Sequence, residues 1–347
     1  MKNNQLKEKT KHILTEYNNC TFCGSKTLKI KKKKKIKDNF YLQAVRNDLN
    51  LKLNDLDRIK IYECKNCKII QNNPWFTEKI SRRIYSNIYG QHNRGWTNLI
   101  NFFEKNILPN HGDLFKILSK KLHIDNYAEF NSPFMGLFLN FFSKEYKDSK
   151  KEKKKLFHSC LNYLSSRQVA AMSISNLKKS KKNSIQFNNQ VKKLKQNNSI
   201  NKKVKKSLFV DNSSLCWGQN DNYKSVNSKS LASEIFDVDI FDVNRRSHKE
   251  FNFDLFGIFH TLDHTLQPKK ILDFALKSSK YVVIYCHVDE HLEKQHLFSI
   301  TNNFLGYLTR NKIYNLNITD KINKKFKTKE LYFICTKYKN LFHKLKI

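Results

Sequence analysis

Long apolar runs are missing from this chain of 347 residues. The longest, Pro133 to Phe142, is about half of what a membrane-spanning helix needs, which excludes a helical bilayer span there. The opening stretch, MKNNQLKEKTKH, carries charge and no apolar core, so a secretory signal is not expected and a cytoplasmic location is. Arginine is scarce too: of 66 basic residues only 9 are Arg. A net charge of +36 attracts polyanions. Arg, however, supplies the bidentate contacts that read phosphate and guanine, whereas Lys acts as a point charge. The Lys, Asn and Ile content is read first as a codon bias toward A and T, and polyanion binding, where it occurs, is expected to be nonspecific. Attraction for small anionic molecules is compatible with either origin of the charge.

Glycine is missing where one turn would use it. YAEFNSPFMGLF, Tyr127 to Phe138, has the form of a strand that carries an acid and turns into an apolar helix. Its turn holds Asn131, Ser132, Pro133 and Met135, and only Gly136 is small and free of a side chain.

Eight Cys are present, four paired and four scattered. CTFCGS brings Cys20 and Cys23, and YECKNCKII brings Cys64 and Cys67. In a reducing compartment such pairs point to metal rather than disulfide. Each C-x2-C knuckle places two sulfurs on one side of an ion, and two knuckles complete a tetrahedral site. Four thiolates leave no open position, so the expected zinc is structural and its binding helps to fold its own segment. The long gap between the pairs predicts an inserted hairpin, with the Lys31–Lys35 run in a solvated loop. Cys286 and Cys335 are expected in cores.

Periodicity places helices over Trp75 to Leu108 and Leu114 to Leu122. Strands are expected at Tyr127 to Phe130, at SLFVD (Ser207 to Asp211), at FDLFGIFHTL and at KYVVIYCHV. Between the last two, QPKKILDFALKSS predicts a helix with Pro268 in its first turn. Apolar helical positions recur from Leu297 to Leu308, and IYNLNIT with ELYFICTKY predicts a closing antiparallel hairpin. Residues from about 143 to 206, rich in Lys, Asn and Ser, read as an insertion with exposed helices and a mobile stretch. Strands alternating with helices predict an α/β fold with a sheet covered on both faces.

Three stretches together resemble a known family. CTFCGS with YECKNCKIIQNNP, then ISRRIYSNIYG, then FDLFGIFHTLDHTLQPKKIL are similar to class I S-adenosylmethionine-dependent methyltransferases with an N-terminal zinc-binding domain, a group that includes deoxysugar C-methyltransferases. The resemblance implies a zinc-binding domain over 1–90, a helical connector over 91–125, and a Rossmann-like methyltransferase domain over 126–347. It implies S-adenosylmethionine as cofactor, with Glu129, Ser132, Gly136 and Asp211 as its contacts. Asp263 and His264 fall where the family has a Glu-His pair, so His264 is implied as base and Asp263 as its orienting acid. Tyr85, Tyr89 and His287 are implied as substrate contacts. The acceptor implied is a small molecule, with a nucleotide-sugar as one candidate.

The glycine-poor turn departs from the family pattern, because Pro133 lacks an N–H donor and the side chains crowd the cofactor's approach. A non-catalytic methyltransferase-fold binding protein is therefore a second reading, and a basic zinc-containing RNA-binding protein a third. HVDEH, His287 to His291, matches a zinc peptidase pattern that requires a helix. Its place directly after a strand argues against that chemistry.

Overall fold

A computed structural model describes residues 12–32, 46, 47, 49–83, 114, 117, 118, 120–124, 127–130, 156–159, 209–211, 241, 242, 247–259, 262–288, 297–322 and 330–345. Among them, no helix is long and apolar enough to cross a membrane.

The N-terminal part is built from short antiparallel strands. Strand β1 (Leu14–Thr15) pairs with β5 (Trp75–Phe76). Strands β2 (Leu28–Lys32), β3 (Lys60–Cys64) and β4 (Ile70–Asn73) form consecutive antiparallel neighbours. The hairpin expected between the Cys pairs is thus present as β2 and β3. The lysine run differs from its expected place: Lys31 and Lys32 belong to β2, and Lys33 to Lys35 lie outside the described residues. Helix α1 (Glu78–Arg83) starts later than periodicity indicated. Trp75 and Phe76 are drawn into β5 by pairing with Leu14 and Thr15 and by burial, at 6% and 1% exposure.

An eight-stranded sheet forms the rest of the frame. Its central strand, β10 (Phe253–Phe259), is buried at every position. It runs parallel to β6 (Tyr127–Phe130) on one side and to β11 (Ser279–His287) on the other. A seven-residue run with no polar face, FDLFGIF, is what a strand covered on both faces requires. Beyond β6 lie β7 (Leu156–Ser159), β8 (Phe209–Asp211) and β9 (Phe241–Asp242), all parallel. Residues 156–159 fall inside the stretch read as an insertion with exposed helices. Pairing with β6 makes them a strand of the sheet instead.

At the opposite edge the direction reverses. Strand β14 (Glu330–Thr336) is antiparallel to β11, and β13 (Tyr314–Asn317) is antiparallel to β14. This is the closing hairpin expected from the sequence. Tyr285 of β11 and Tyr332 of β14 are register partners, and their rings stack at a centroid distance of 4.2 Å.

Two helices follow the central strands. Helix α2 (Pro268–Ser278) begins with Pro at its first position, where a missing N–H costs nothing. Ile271, Leu272, Ala275 and Leu276 bury its inner stripe. Helix α3 (Asn302–Arg310) follows β12 (Phe298–Ser299). The segment from Leu297 had been expected to be helical from its start. Instead Phe298 and Ser299 pair with Gln71 and Ile70 of β4. A strand from the C-terminal half thereby completes the N-terminal sheet, in the order β12-β4-β3-β2. Short helices α4 (Thr319–Ile322) and α5 (Lys339–Leu345) flank the closing hairpin.

One buried cluster runs through both parts and joins Phe22, Ile69 and Phe76 to Phe256, Ile284, Phe304 and Phe333. The N-terminal segment is packed into the same core as the large sheet.

Candidate functional site

Two constellations stand out, one at the cysteine knuckles and one at the C-terminal edge of the parallel strands. The knuckles are built alike. In the first, Gly24 N–H donates to Cys20 O at 2.9 Å and Cys20 N–H donates to Ser25 O at 2.8 Å. In the second, Lys68 N–H donates to Cys64 O at 2.9 Å and Cys64 N–H donates to Ile69 O at 2.9 Å. Gly24 (φ 72°) and Lys68 (φ 64°) occupy equivalent left-handed positions. Glycine takes that conformation without strain, and Lys68 is held there by the repeated turn.

The four sulfurs all lie within 4.8 Å of one another. Cys20 and Cys67 are 3.5 Å apart and Cys23 and Cys64 3.6 Å apart, too far for disulfides. Zn–S bonds of about 2.3 Å give a tetrahedral edge of roughly 3.8 Å, so the donor set fits zinc in number, type and spacing. The sulfurs are close enough to hydrogen-bond in pairs. Accepting from the Cys67 thiol lowers Cys20 to about 6, while Cys67 is raised by the same contact. Burial raises Cys23 to about 11. Sulfurs this close hold one negative charge readily and resist further ionisation, the condition a dication relieves.

Polar residues after the last Cys fasten the knuckles. Gln71 is fully buried, and its Oε1 accepts from Thr21 N–H at 3.0 Å. Asn73 Oδ1 accepts from Tyr17 N–H and its Nδ2 donates to Tyr17 O, both at 2.8 Å. The IIQNN tail of the motif thus ties the second knuckle to the chain around the first. The cluster also docks on the C-terminal half. Thr301 Oγ1 donates to Lys68 O at 2.9 Å, Arg310 donates to Asn66 O at 3.2 Å, and Phe22 meets Phe304 edge-on at 4.8 Å.

The second constellation lies where β10 and β11 end. A single 3-10 turn, Leu262–His264, follows β10. It carries Asp263, whose side chain is 1% exposed. His287 is the last residue of β11, with a side chain 33% exposed. His287 Nδ1 and Asp263 Oδ2 lie 2.9 Å apart. A buried carboxylate needs such a partner, because desolvation without one costs several kcal/mol. Asp263 accepts from Nδ1–H, which places the neutral ring's lone pair on Nε2. Ser299 Oγ donates to His287 O at 3.3 Å, which ties the strand end to β12. Next along β11, Cys286 is wholly buried, and its thiol is pushed well up by burial first and by the charges of Asp263 and Glu330 second. Such a thiol is a core residue, not a nucleophile. Cys335 is equally buried and is raised by burial alone.

Asp263 meets His287, a contact that the sequence reading, which pairs Asp263 with His264, does not include. His264 sits in the same 3-10 turn, and its side chain lies outside the described residues. A signal for the observed pair is present in the sequence: one polar residue ends β11, and the other lies just beyond β10, the adjacent parallel strand. Glu129 lies on β6 opposite Gly257, and Asp211 ends β8. Ser132, Gly136, Tyr85 and Tyr89 lie outside the described residues.

Comparison with known proteins gives little. No family model matches the chain, and no curated protein matches it. A solved structure, that of the plantazolicin methyltransferase BpumL in complex with SAH, is similar over 74% of this chain and 95% of its own, with 7% identity and a TM-score of 0.39. Those values describe a likeness too loose to assign fold or chemistry by itself.

Proposed function

We propose that this chain is a zinc-containing, Rossmann-like methyltransferase that takes its methyl group from S-adenosylmethionine and acts on a small acceptor, with a nucleotide-sugar as the leading candidate. The observation that carries the reading is the Asp263–His287 contact at the C-terminal edge of a mainly parallel sheet. Open α/β sheets bind ligands at that edge, where loops diverge. Glu129 and Asp211 lie on strands that end at the same edge, as cofactor contacts would. With Ser132 and Gly136 they are the residues that would hold S-adenosylmethionine. When bound, that cofactor supplies an electrophilic methyl group.

The chain's own part is proton transfer and positioning. Asp263 fixes the His287 tautomer and stabilises the imidazolium that forms, and Nε2 takes a proton from an acceptor carbon next to a carbonyl. His264, one residue beyond Asp263, is the competing candidate for base. Tyr85 and Tyr89 are proposed to hold the acceptor. Cys20, Cys23, Cys64 and Cys67 hold a structural zinc.

Calorimetric titration of the zinc-loaded chain with S-adenosylmethionine and S-adenosylhomocysteine tests the reading. Saturable binding of both is expected. With Pro133 and no Gly before Gly136, the segment Asn131 to Met135 is expected to offer the cofactor two or three fewer backbone hydrogen bonds, each worth about 0.5–1.5 kcal/mol. Affinity should then fall roughly tenfold to a thousandfold below that of a glycine-rich relative. A folded, zinc-loaded sample that binds neither compound overturns the enzyme and leaves a fold retained for binding alone.

A further inference from the structure

A cleft of about 420 Å³ opens between the first cysteine knuckle, helices α2 and α3 and the residue after β14. Neither Asp263 nor His287 lines it. Its volume lies in the range of small-molecule sites. Phe22, from the loop between Cys20 and Cys23, forms part of its wall together with Tyr307 and Leu308. The Phe22 ring is fixed edge-on against Phe304 at 4.8 Å and Tyr307 at 6.2 Å, so the apolar wall is preformed.

The polar lining is lopsided. Lys269, Lys312 and Lys337 face the cleft, and Asp273 is the one carboxylate among the described lining residues. Asp273 pairs with Lys269 one helical turn away. Three ammonium groups of the lining share one carboxylate, since Asp273 also acts on Lys337, which leaves an excess of two positive charges. Lys337 is half-buried. Burial lowers its ammonium, Asp273 opposes the shift, and Lys277 and Lys269 add to it. An anion placed there relieves both the desolvation and the repulsion.

We infer that this cleft is a binding site for a small molecule that joins a phosphate group to an apolar or aromatic body, the chemical class of nucleotides. Phosphate meets Lys312 and Lys337, and the body lies against Phe22 and Leu308. The three lysines come from separate elements, which is why no run in the sequence announces them. The inference stands apart from methyl transfer, since it draws on no residue of the Asp263–His287 pair.

Uridine diphosphate and inorganic pyrophosphate are the probes, titrated calorimetrically into the zinc-loaded full chain. Uridine diphosphate should bind more tightly than pyrophosphate. The double variant Lys312→Asn, Lys337→Ala should weaken uridine diphosphate at least tenfold, about 1.4 kcal/mol. Asn is chosen because Lys312 has φ 58°, a conformation Asn accepts without strain. Zinc content and melting temperature should be unchanged. Absence of uridine diphosphate binding overturns the inference, as does equal affinity in the double variant. So does an equal loss on replacing Lys26 and Lys29, which do not line the cleft, since that would show attraction to the whole surface. Tighter binding of pyrophosphate than of uridine diphosphate overturns the apolar half of the site.

Discussion

Asp263 and His287 show how two residues of ordinary type become a pair. His287 ends β11 and Asp263 lies in the turn after β10, and parallel pairing of the two strands brings them to 2.9 Å. Under the methyl-transfer reading, His287→Ala should lower turnover about 10²–10⁴-fold, the span of general-base catalysis, with cofactor affinity nearly unchanged. Asp263→Asn should lower it too, since the amide no longer holds Nδ1–H. His264→Ala is the control in the same assay. Full activity in His287→Ala with loss in His264→Ala would transfer the role of base to His264. At the cysteine cluster, Cys64→Ser removes one of the four proposed zinc ligands. The expected result is loss of bound zinc by elemental analysis, and full metal content in that variant would refute the ligand set.

The short β12 has a consequence larger than its length. Phe298 is fully buried and pairs with Gln71, while Asn72 N–H donates to Leu297 O at 2.9 Å. Phe298→Ala should destabilise the chain by about 3–5 kcal/mol, as deletion of a buried ring does. Because β12 shares an edge with the strand that follows the second knuckle, the same variant should release zinc faster to a chelator. A normal release rate in a chain that is otherwise destabilised would show that the knuckles hold themselves. Helix α2, by contrast, depends on local signals. Its Pro start and its buried stripe were legible before any tertiary contact was known.

At the scale of the molecule, the cysteine cluster is a support for the shared core rather than an appended module. Phe22 lies between Cys20 and Cys23 in the chain and packs on Phe304 of α3. Removal of zinc should therefore lower the melting temperature of the whole chain, not merely unfold its first segment. Thermal melts with and without a chelator read this directly, and a large-sheet transition that stays at its original temperature would contradict it. The charge of +36 acts at the same scale. Polyanion binding, where it occurs, should weaken steeply as salt rises, because lysine contacts act through counterion release. Affinity for RNA that holds constant between low and physiological salt would speak against that account.

What the sequence determined by itself is what local chemistry controls. C-x2-C spacing specified the knuckles, because a tight turn needs only its own residues. The stretch FDLFGIF, apolar but for Asp254, specified a strand buried on both faces, and the alternation of strands with helices specified an α/β sheet. Tertiary structure decided the rest. Residues 156–159 became a strand, since pairing with β6 offered their backbone a ladder that propensity does not encode. Phe298 and Ser299 left the helical pattern for the same reason, drawn to the edge of β4. The partner of Asp263 was decided by strand register, because a contact between residues 24 positions apart depends on how two strands align and not on either strand alone.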